Sequence, residues 1–439
     1  MNRAVRAVIV GTFTLRLATG LTGGMLVYYL RDLGADPIIV GAFAALFYAS
    51  ELIGSPMFGI LSDRVGHRRI LLIGPAFGAI AVVITALSRD YVVLGTTRIL
   101  EGGSTAASVP SILGFVAFAT AGNELMRGKA VARFEAATLA GLMGGFVIAG
   151  PLYDGIPRVV PGLRQDAFFL NAFLYGISFL IYRLGVPVHA EPEPAHRRAA
   201  VRAAEAGRYH ETGVERYWRI LTGSHVWLLA PTWIAVNATL GLFTSQTLFQ
   251  LVREPSPRFA NQMLMGGFPG AAVSVGLAAG GLLFFLGIFY WGNKFKNMRR
   301  TTIIFYGILG GAALLLAGFG INHSAGLPTS VVTGLALVAI GGLFVLAGAT
   351  PAAIGLLADV TEAYPDDRGA IMGLYSVFLG IGQIVGSLVG GISSERYGLD
   401  GIFGAAFVLL GIALIPLAQL RRFEHQVSVA PDAALAGER

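Results

Sequence analysis

The chain alternates long apolar runs with short polar segments along its whole length. A membrane helix needs about 20 mostly apolar residues to cross about 30 Å of hydrocarbon. Twelve runs meet this requirement, at about 8–30, 38–61, 70–87, 91–120, 129–152, 166–185, 226–251, 266–291, 301–320, 329–357, 369–391 and 400–420. Only 13% of the residues are charged, whereas soluble domains have about a quarter. The sequence therefore predicts an all-α membrane protein with twelve transmembrane helices.

The distribution of lysine and arginine predicts the side of the membrane that each segment faces. Most of the 32 basic residues fall in segments on the same side as the N-terminus, such as 64–69 and 294–300. Because cytoplasmic loops are rich in lysine and arginine, we expect a multi-pass protein of the cell membrane with both termini in the cytoplasm. The net charge of +7 follows from this topology. The basic residues are scattered over several loops, so no nucleic-acid partner is expected.

One long polar segment, 186–224, separates the first six runs from the last six. It contains Pro187, Pro192 and Pro194 and then a stretch rich in alanine, arginine and glutamate. We interpret it as a cytoplasmic linker with a short amphipathic helix, and a plain solvated linker is an equal alternative. The predicted domains are a bundle at 1–185, the linker, a second bundle at 225–424 and a cytoplasmic tail at 425–439.

Two correspondences indicate that the halves are copies of one unit. Asn293 and Lys294 stand in the loop after span eight as Asp63 and Arg64 stand in the loop after span two. A second set shares one constant offset between spans five and eleven: Arg127, Gly128, Gly141, Gly145 and Ala149 match Arg368, Gly369, Gly382, Gly386 and Gly390. Internal repeats of this kind are typical of transporters. Small residues at every fourth position let helices approach closely, so we expect spans five and eleven to pack at the junction of the halves.

The loop between spans two and three carries a longer motif, whose residues are Gly59, Asp63, Arg64, Gly66, Arg68 and Arg69. In order and spacing they resemble the signature of the major facilitator superfamily, although His67 stands where that family usually has a basic residue. The twelve spans, the six-plus-six division and the long middle loop are also similar to this family. The resemblance covers the whole chain. It implies two pseudo-symmetric six-helix bundles and a transport function.

Further motifs support the resemblance in part. Arg98, Glu101 and Gly102 in span four are similar to the family's pattern for that helix, with Glu101 at the usual glutamine position. Gly141, Gly145 and Gly150-Pro151 in span five resemble the glycine-proline motif of antiporters, but the usual trailing glycine pair is missing. In this family the loop motif is a conformational latch. The resemblance therefore implies that Asp63 lies near the positive N-terminal end of span eleven, where a carboxylate is favoured.

Five ionisable residues fall well inside predicted spans, where each costs at least about a few kcal/mol. They are Arg16, Glu51, Arg98, Glu101 and Glu135. At about 1.5 Å per residue, Arg16 and Glu51 lie about 12–15 Å above the inner face, and Glu135 lies about 9 Å deep. Arg98 and Glu101 share one face of span four. Low dielectric favours a protonated carboxylate and a nearby arginine favours the charged one, so the three glutamates are candidate proton carriers. Permanent structural ion pairs are the alternative.

Polar stripes at helical spacing mark the helices expected to line a central cavity. Spans one, four, seven and ten carry such stripes, and the resemblance implies that these four helices form the cavity. The candidate substrate-contacting residues are Thr12, Thr19, Ser108, Asn237 and Thr244. For each of them, packing between helices is an equal alternative. Because the charged residues inside the predicted spans all lie in the first half, we expect a small-molecule substrate with one polar end and a sizeable apolar body.

Other classes of protein lack support in the sequence. There are no cysteines, no histidine–carboxylate cluster, no nucleophile arrangement and no phosphate-binding loop. We therefore expect neither an enzyme nor an ATP-driven pump, and no metal or cofactor. The sequence predicts a monomeric secondary transporter that works by alternating access, most simply a proton-coupled exporter of amphiphilic compounds. A proton-coupled nutrient symporter and a passive facilitator remain alternatives.

Overall fold

The computed structural model describes residues 3–120, 124–159, 167–187, 226–294, 297–363 and 368–427, and within these ranges the chain is helical without β-strands. The helices are α1 (Arg3–Asp32), α2 (Pro37–Val65), α3 (His67–Leu87), α4 (Tyr91–Ala119), α5 (Glu124–Val159), α6 (Ala167–Gly185), α7 (Val226–Val252), α8 (Gly270–Asn293), α9 (Arg300–Asn322), α10 (Thr329–Leu346), α11 (Ala349–Ala363) and α12 (Arg368–Val427). A short 3-10 helix, Pro257–Phe259, lies in the loop between α7 and α8.

Ten stretches of these helices are long and apolar enough to cross a membrane. The last of them, Val377–Arg422, has 46 residues, and Gly398 within it has non-helical angles of φ 63° and ψ −139°. This stretch can therefore make two passes that meet at Gly398. Helix α7 adds 27 residues with no charged side chain. The described helices thus accommodate the twelve predicted spans, and the all-α prediction is confirmed.

The chain divides into two compact units. The first contains α1–α6 together with Leu251–Arg253 and Gly267–Ala278, and the second contains α7 up to Gln250, Glu254–Gly266 and the chain from Ala279 onwards. The predicted bundle at 1–185 falls within the first unit. Most of the predicted linker and all but the first residues of the tail lie outside the described residues.

In the first unit, α1 packs on α5 and α6, while α4 packs on both α2 and α3. The side chains of Tyr175 and Tyr182 of α6 are fully buried in this core. The polar residues of these helices can be buried because they form hydrogen bonds with one another. The Tyr182 hydroxyl donates to the Thr12 hydroxyl at 3.4 Å, and the Tyr175 hydroxyl donates to the Thr19 hydroxyl at 3.4 Å. Ser178 donates a 2.9 Å hydrogen bond to the Gly11 carbonyl.

In the second unit, α9 packs against α10, α11 and α12. The core between them contains Trp233, Ile303, Ile308 and Leu410, each at most 2% exposed. Lipid tails are as apolar as these side chains, so within a membrane this packing is stabilised by van der Waals contact between the helices rather than by removal from water.

The glycine rows of spans five and eleven make equivalent contacts in the two units. A Cβ atom at Gly141 would lie 2.6 Å from the Phe13 carbonyl of α1, and one at Gly382 would lie 2.7 Å from the Ile234 carbonyl of α7. These glycines therefore let α5 pack on α1 and α12 pack on α7. The expectation placed this close packing at the junction of the halves, whereas these contacts lie within each unit, because a glycine row admits whichever helix is its neighbour.

Candidate functional site

A charged group lies within the candidate membrane spans of the first unit, where α1, α2, α4 and α5 supply its members. Arg16 of α1 is partly exposed, and its Nη1 donates a 3.5 Å hydrogen bond to the Thr105 hydroxyl of α4. The guanidinium is also within electrostatic range of Glu51 on α2 and Glu135 on α5. These are the three residues that the depth argument placed in one layer, and their part in proton coupling stays a prediction.

The members of this group differ in their access to solvent or lipid. Glu51 is half-buried, whereas Glu135 is exposed. Gly141 makes room for the arginine, because a Cβ atom at Gly141 would lie 2.9 Å from the Cβ of Arg16. One cation shared by two carboxylates leaves an excess negative charge when both are ionised. Such a group can hold a proton or bind a cationic substrate head.

The second predicted pair, Arg98 and Glu101, is more deeply buried. The two side chains form an ion pair across one turn of α4, and they are 7% and 1% exposed. The Arg98 guanidinium also lies over the Phe47 ring of α2, 4.8 Å from its centroid. The second carboxylate oxygen of Glu101 has no hydrogen-bond partner among the described residues. Because a buried ion pair has little access to water, this pair suits a structural or gating role better than binding.

The predicted cavity residues lie mostly in helix packing. Thr12 and Thr19 are buried and donate to carbonyl groups of their own helix, at Val8 and Leu15. Ser108 is fully buried beside Gly74 of α3, and Asn237 donates to the Trp233 carbonyl. Thr244 is the exposed member of the set. A substrate contact by these five residues stays a prediction, and the structure places four of them in contacts inside their own unit.

The loop motif between α2 and α3 has a local role that the structure makes visible. Gly66 adopts φ 102°, a left-handed backbone conformation that glycine tolerates best, and so permits the turn. Arg68 donates hydrogen bonds of 2.7 Å to the Val186 carbonyl and 3.1 Å to the Arg183 carbonyl at the end of α6. A cation at the C-terminal end of a helix is favoured by the helix dipole.

The remaining motif residues are less informative. Arg64 and Arg69 are exposed, and a Cβ atom at Gly59 would lie 3.6 Å from Pro110 of α4. His67, the departure from the family pattern, is 5% exposed and packs on Gly114. The side chain of Asp63 lies outside the described residues, so the latch contact stays a prediction.

A polar cluster that the sequence reasoning missed lies at the C-terminal ends of α1 and α5 and the start of α8, within the first unit, on the side that the predicted topology places outside. Asp154 accepts a 3.2 Å hydrogen bond from the Gly270 amide and lies 3.8 Å from Arg31. Tyr153 donates a 3.0 Å hydrogen bond to Asp32, which also pairs with Arg31 at 2.8 Å. The sequence signal was the pairs Arg31-Asp32 and Tyr153-Asp154 at two helix ends, the second directly after Gly150-Pro151.

The second unit has its own outer cluster around Asp400. Its carboxylate contacts His323 at 2.9 Å and accepts hydrogen bonds from Asn322 at 2.9 Å and Gln262 at 3.1 Å. Gln262 also holds the chain reversal at Gly398, since the same Nε2 donates to the Tyr397 carbonyl and Oε1 accepts from the Leu399 amide. This cluster fixes the loop between α7 and α8 to the point where α12 changes direction.

Within the described residues no group of three or more histidine, cysteine, aspartate or glutamate side chains could hold a metal ion. The chemistry available at the charged group of the first unit is therefore that of carboxylates, an arginine and hydroxyl groups. Such groups can exchange protons and bind charged or polar parts of a small molecule.

Two related helical units, the first of which has a charged group within its candidate membrane spans, are typical of a membrane transporter. The family model of the Major Facilitator Superfamily matches residues 8–320 and 267–435. The chain belongs to this family.

Relatives and solved structures agree with this assignment. The quinolone resistance protein NorA of Staphylococcus aureus (strain MSSA476) is 21% identical over 416 residues, which is 94% of this chain and 95% of that protein. The multidrug resistance protein MdtG of Proteus mirabilis (strain HI4320) is 30% identical over 186 residues, 40% of this chain and 45% of that protein. The crystal structure of the nucleoside transporter NupG has a TM-score of 0.68 at 16% identity, covering 96% of this chain and 99% of that chain.

Proposed function

We propose that this transporter exports amphiphilic small molecules in exchange for protons, by alternating access. The observation that carries the proposal is the group formed by Arg16, Glu51 and Glu135, where one guanidinium acts electrostatically on two carboxylates within the candidate membrane spans. A fixed ion pair needs only one carboxylate. The second one is available to hold a proton when the site is empty of substrate and to release it when a cationic substrate binds.

The three glutamates differ in how exposed they are, and this supports different roles for them in transport. Glu51 and Glu135 are half-buried and exposed, so that protons and substrate can reach them. Glu101 is buried against Arg98, and we assign it the positioning of α4. Thr244 is the exposed residue among the predicted substrate contacts, and its hydroxyl donates only a long 3.3 Å hydrogen bond to the Gly241 carbonyl, which a substrate can replace. The loop motif with Asp63 completes the proposal as a latch between conformations.

The direction and the substrate class rest on the relatives. NorA and MdtG carry the names of quinolone and multidrug resistance, and we infer for this transporter that it moves such compounds out of the cell. Quinolones combine an apolar ring system with charged groups, as expected for a substrate that meets charge in one half of the transporter. We therefore choose a quinolone and a lipophilic cation as the first test compounds.

The test is uptake into proteoliposomes under an imposed proton gradient. We expect accumulation against the substrate gradient, and we expect Glu51→Gln and Glu135→Gln each to reduce it at least about tenfold, as loss of one charge-assisted contact can. Glu395→Gln is the matched control, because this glutamate lies at the outer end of a span. It should keep most of the activity.

The outcomes separate the alternatives. Flux through Glu51→Gln that continues without a gradient would replace the coupled exporter by a passive facilitator. Substrate and protons that move in the same direction would identify a symporter.

The proposed orientation, with both termini in the cytoplasm of a cell-membrane protein, has its own test. The chain contains no cysteine, so single cysteines can be introduced and labelled without background. Leu327 lies in the exposed turn after α9, and Asn297 lies in the exposed loop before it. The variants for labelling are Leu327→Cys and Asn297→Cys. We expect an impermeant maleimide to label the first in intact cells and the second only after permeabilisation.

A further inference from the structure

A cavity opens in the second unit where α9 begins and α12 approaches its end. Its volume is about 580 Å³, and its lining includes Arg299, Arg421 and Arg422 together with Phe305, Leu414 and Leu417. This volume is within the range of small-molecule binding sites, about 300–1,000 Å³. All residues that line the cavity belong to the second unit, and the proposed transport function makes no use of it.

The cavity has one charged end and one apolar wall. All three arginines are exposed. Leu417 is 2% exposed and belongs to the core of the second unit, and Phe305 and Leu414 pack against that core. The cavity therefore suits a ligand with a negative head and an apolar body.

The position of the cavity along the helices places its charged end at the membrane surface. The candidate membrane span Arg300–Asn322 begins directly after Arg299. The span Val377–Arg422 ends at Arg421 and Arg422. The apolar side chains follow within the next turns towards the membrane interior. A ligand that fills the cavity would therefore place its head at the interface and its body alongside the helices, which is the arrangement of a phospholipid.

The equivalent corner of the first unit shows that an arginine here does not by itself make a cavity. There the start of α3 meets the end of α6, and Arg68 closes the corner by donating to the Val186 and Arg183 carbonyls. The charge of Arg68 is thereby matched by the end of a helix. In the second unit the corresponding corner is a cavity instead, and three arginines lie together in its lining.

We propose that this cavity binds one anionic phospholipid of the inner leaflet, with the phosphate among the three arginines and an acyl chain along Phe305, Leu414 and Leu417. The leaflet follows from the orientation proposed above, whereas the binding itself does not depend on it. Arginine suits this role because its planar guanidinium matches the geometry of phosphate oxygens. Basic pockets between membrane helices on the cytoplasmic side are a known form of headgroup site.

The test measures lipid binding without transport. Protein purified in an uncharged detergent is titrated with phosphatidylglycerol or with phosphatidylcholine of the same acyl chains, while thermal melting and native mass spectrometry are recorded. We expect phosphatidylglycerol to raise the melting temperature and to remain as one bound lipid. The double variant R421Q/R422Q should weaken its apparent affinity at least about tenfold, through loss of two charge-assisted contacts.

Two further variants separate this site from general attraction to charge. R89Q/R396Q removes two exposed arginines at other loops and should leave the affinity within about twofold of the wild type, since surface charges act weakly. L414W keeps all charges but fills the apolar part, and it should weaken binding as the arginine variant does. Melting in detergent alone checks that each variant is folded, and the single variant R421Q replaces any that is not.

Clear results would overturn the proposal. One is equal loss of binding in R89Q/R396Q, which would mean unspecific attraction. Another is equal stabilisation by inorganic phosphate, which would mean a site for a soluble anion. Unchanged affinity in L414W would also reject the acyl-chain groove. A protein that binds this lipid but fails to couple transport to protons would reject the proposed function alone.

Discussion

The first and second units make the same backbone contact at mid-membrane depth but place opposite chemistry beside it. Gly141 of α5 meets the Phe13 carbonyl, the Arg16 Cβ and the Leu17 amide of α1. Gly382 of α12 meets the Ile234 carbonyl, the Asn237 Cβ and the Ala238 amide of α7 in the same order. Asn237 therefore occupies in the second unit the place that Arg16 occupies in the first.

The comparison of the two units shows that the close helix contact at the glycine does not require a charged residue beside it. Around Arg16 the first unit has two carboxylates, whereas in the second unit the neutral amide of Gln383, which is 8% exposed, lies against Gly241, one turn along α7 from Asn237. A neutral amide keeps its polar atoms at membrane depth without the cost of a charge. The repeated scaffold thus needs a glycine at this contact, and the proposed coupling needs the arginine.

The largest effect is expected when the first unit is given the residue of the second. Arg16→Asn removes the cation shared by Glu51 and Glu135, so proton-driven transport should fall at least about tenfold, or about 1.4 kcal/mol in activation free energy. Uptake into proteoliposomes measures this. The matched control is Asn237→Ala, which should keep more than half of the rate. If Arg16→Asn transported at the wild-type rate, the proposed coupling would not need the arginine that distinguishes the first unit from the second.

The shared contact is tested by adding one methyl group in each unit. Gly141→Ala and Gly382→Ala should both destabilise the protein, each by about 1–3 kcal/mol, because the new Cβ meets a backbone carbonyl that cannot move aside. Thermal melting in detergent measures the loss. Similar losses would support equivalent contacts, and a loss confined to one variant would contradict the equivalence.

The outer clusters extend the comparison to the membrane surface. Asp400 contacts His323 at 2.9 Å and accepts hydrogen bonds from Asn322 and Gln262. Asp154 accepts one backbone hydrogen bond, from Gly270, and lies 3.8 Å from Arg31. Asp400→Asn should therefore lower the free energy of unfolding by about 1–2 kcal/mol, and Asp154→Asn by less. Melting curves of the two variants, recorded side by side, decide this. The reverse order would mean that the first-unit cluster is the stronger one.

The smallest effect is expected at Gln383. Its Oε1 is buried and has no hydrogen-bond partner among the described residues. Replacing it by methionine, which has a similar shape, removes an unsatisfied group and should change stability by less than about 1 kcal/mol. Transport should also persist. A large loss of transport with normal melting would show that this amide contacts substrate and that the second unit takes a direct part in binding.

Sequence reasoning reached the spans and the charged layer because both follow from regular geometry. Hydropathy and a constant rise per residue are enough to place Arg16 and Glu51 at one depth. The same regularity does not tell which face of a helix a small polar residue occupies. Thr12, Thr19 and Ser108 were therefore predicted as cavity residues, although their hydroxyls satisfy carbonyls within their own helices.

The outer clusters were beyond the reach of sequence patterns for a different reason. The contact of Asp154 with Gly270 joins residues that are far apart in the chain, and no periodicity connects them. The contact of Arg68 with the end of α6 is likewise long-range. The motif predicted that this arginine matters, and only the folded unit shows that it closes a helix end.

The loop held by Gln262 and Asp400 also makes the second unit recognisable from outside. Its hydrogen bonds join three distant segments of chain, at Gln262, Asn322 and Asp400, so its surface exists only while the unit is folded. Such a surface is a conformational epitope. An antibody fragment raised against it would bind the intact protein, would not detect the denatured chain on a blot, and would add a rigid marker for electron microscopy of a small membrane protein.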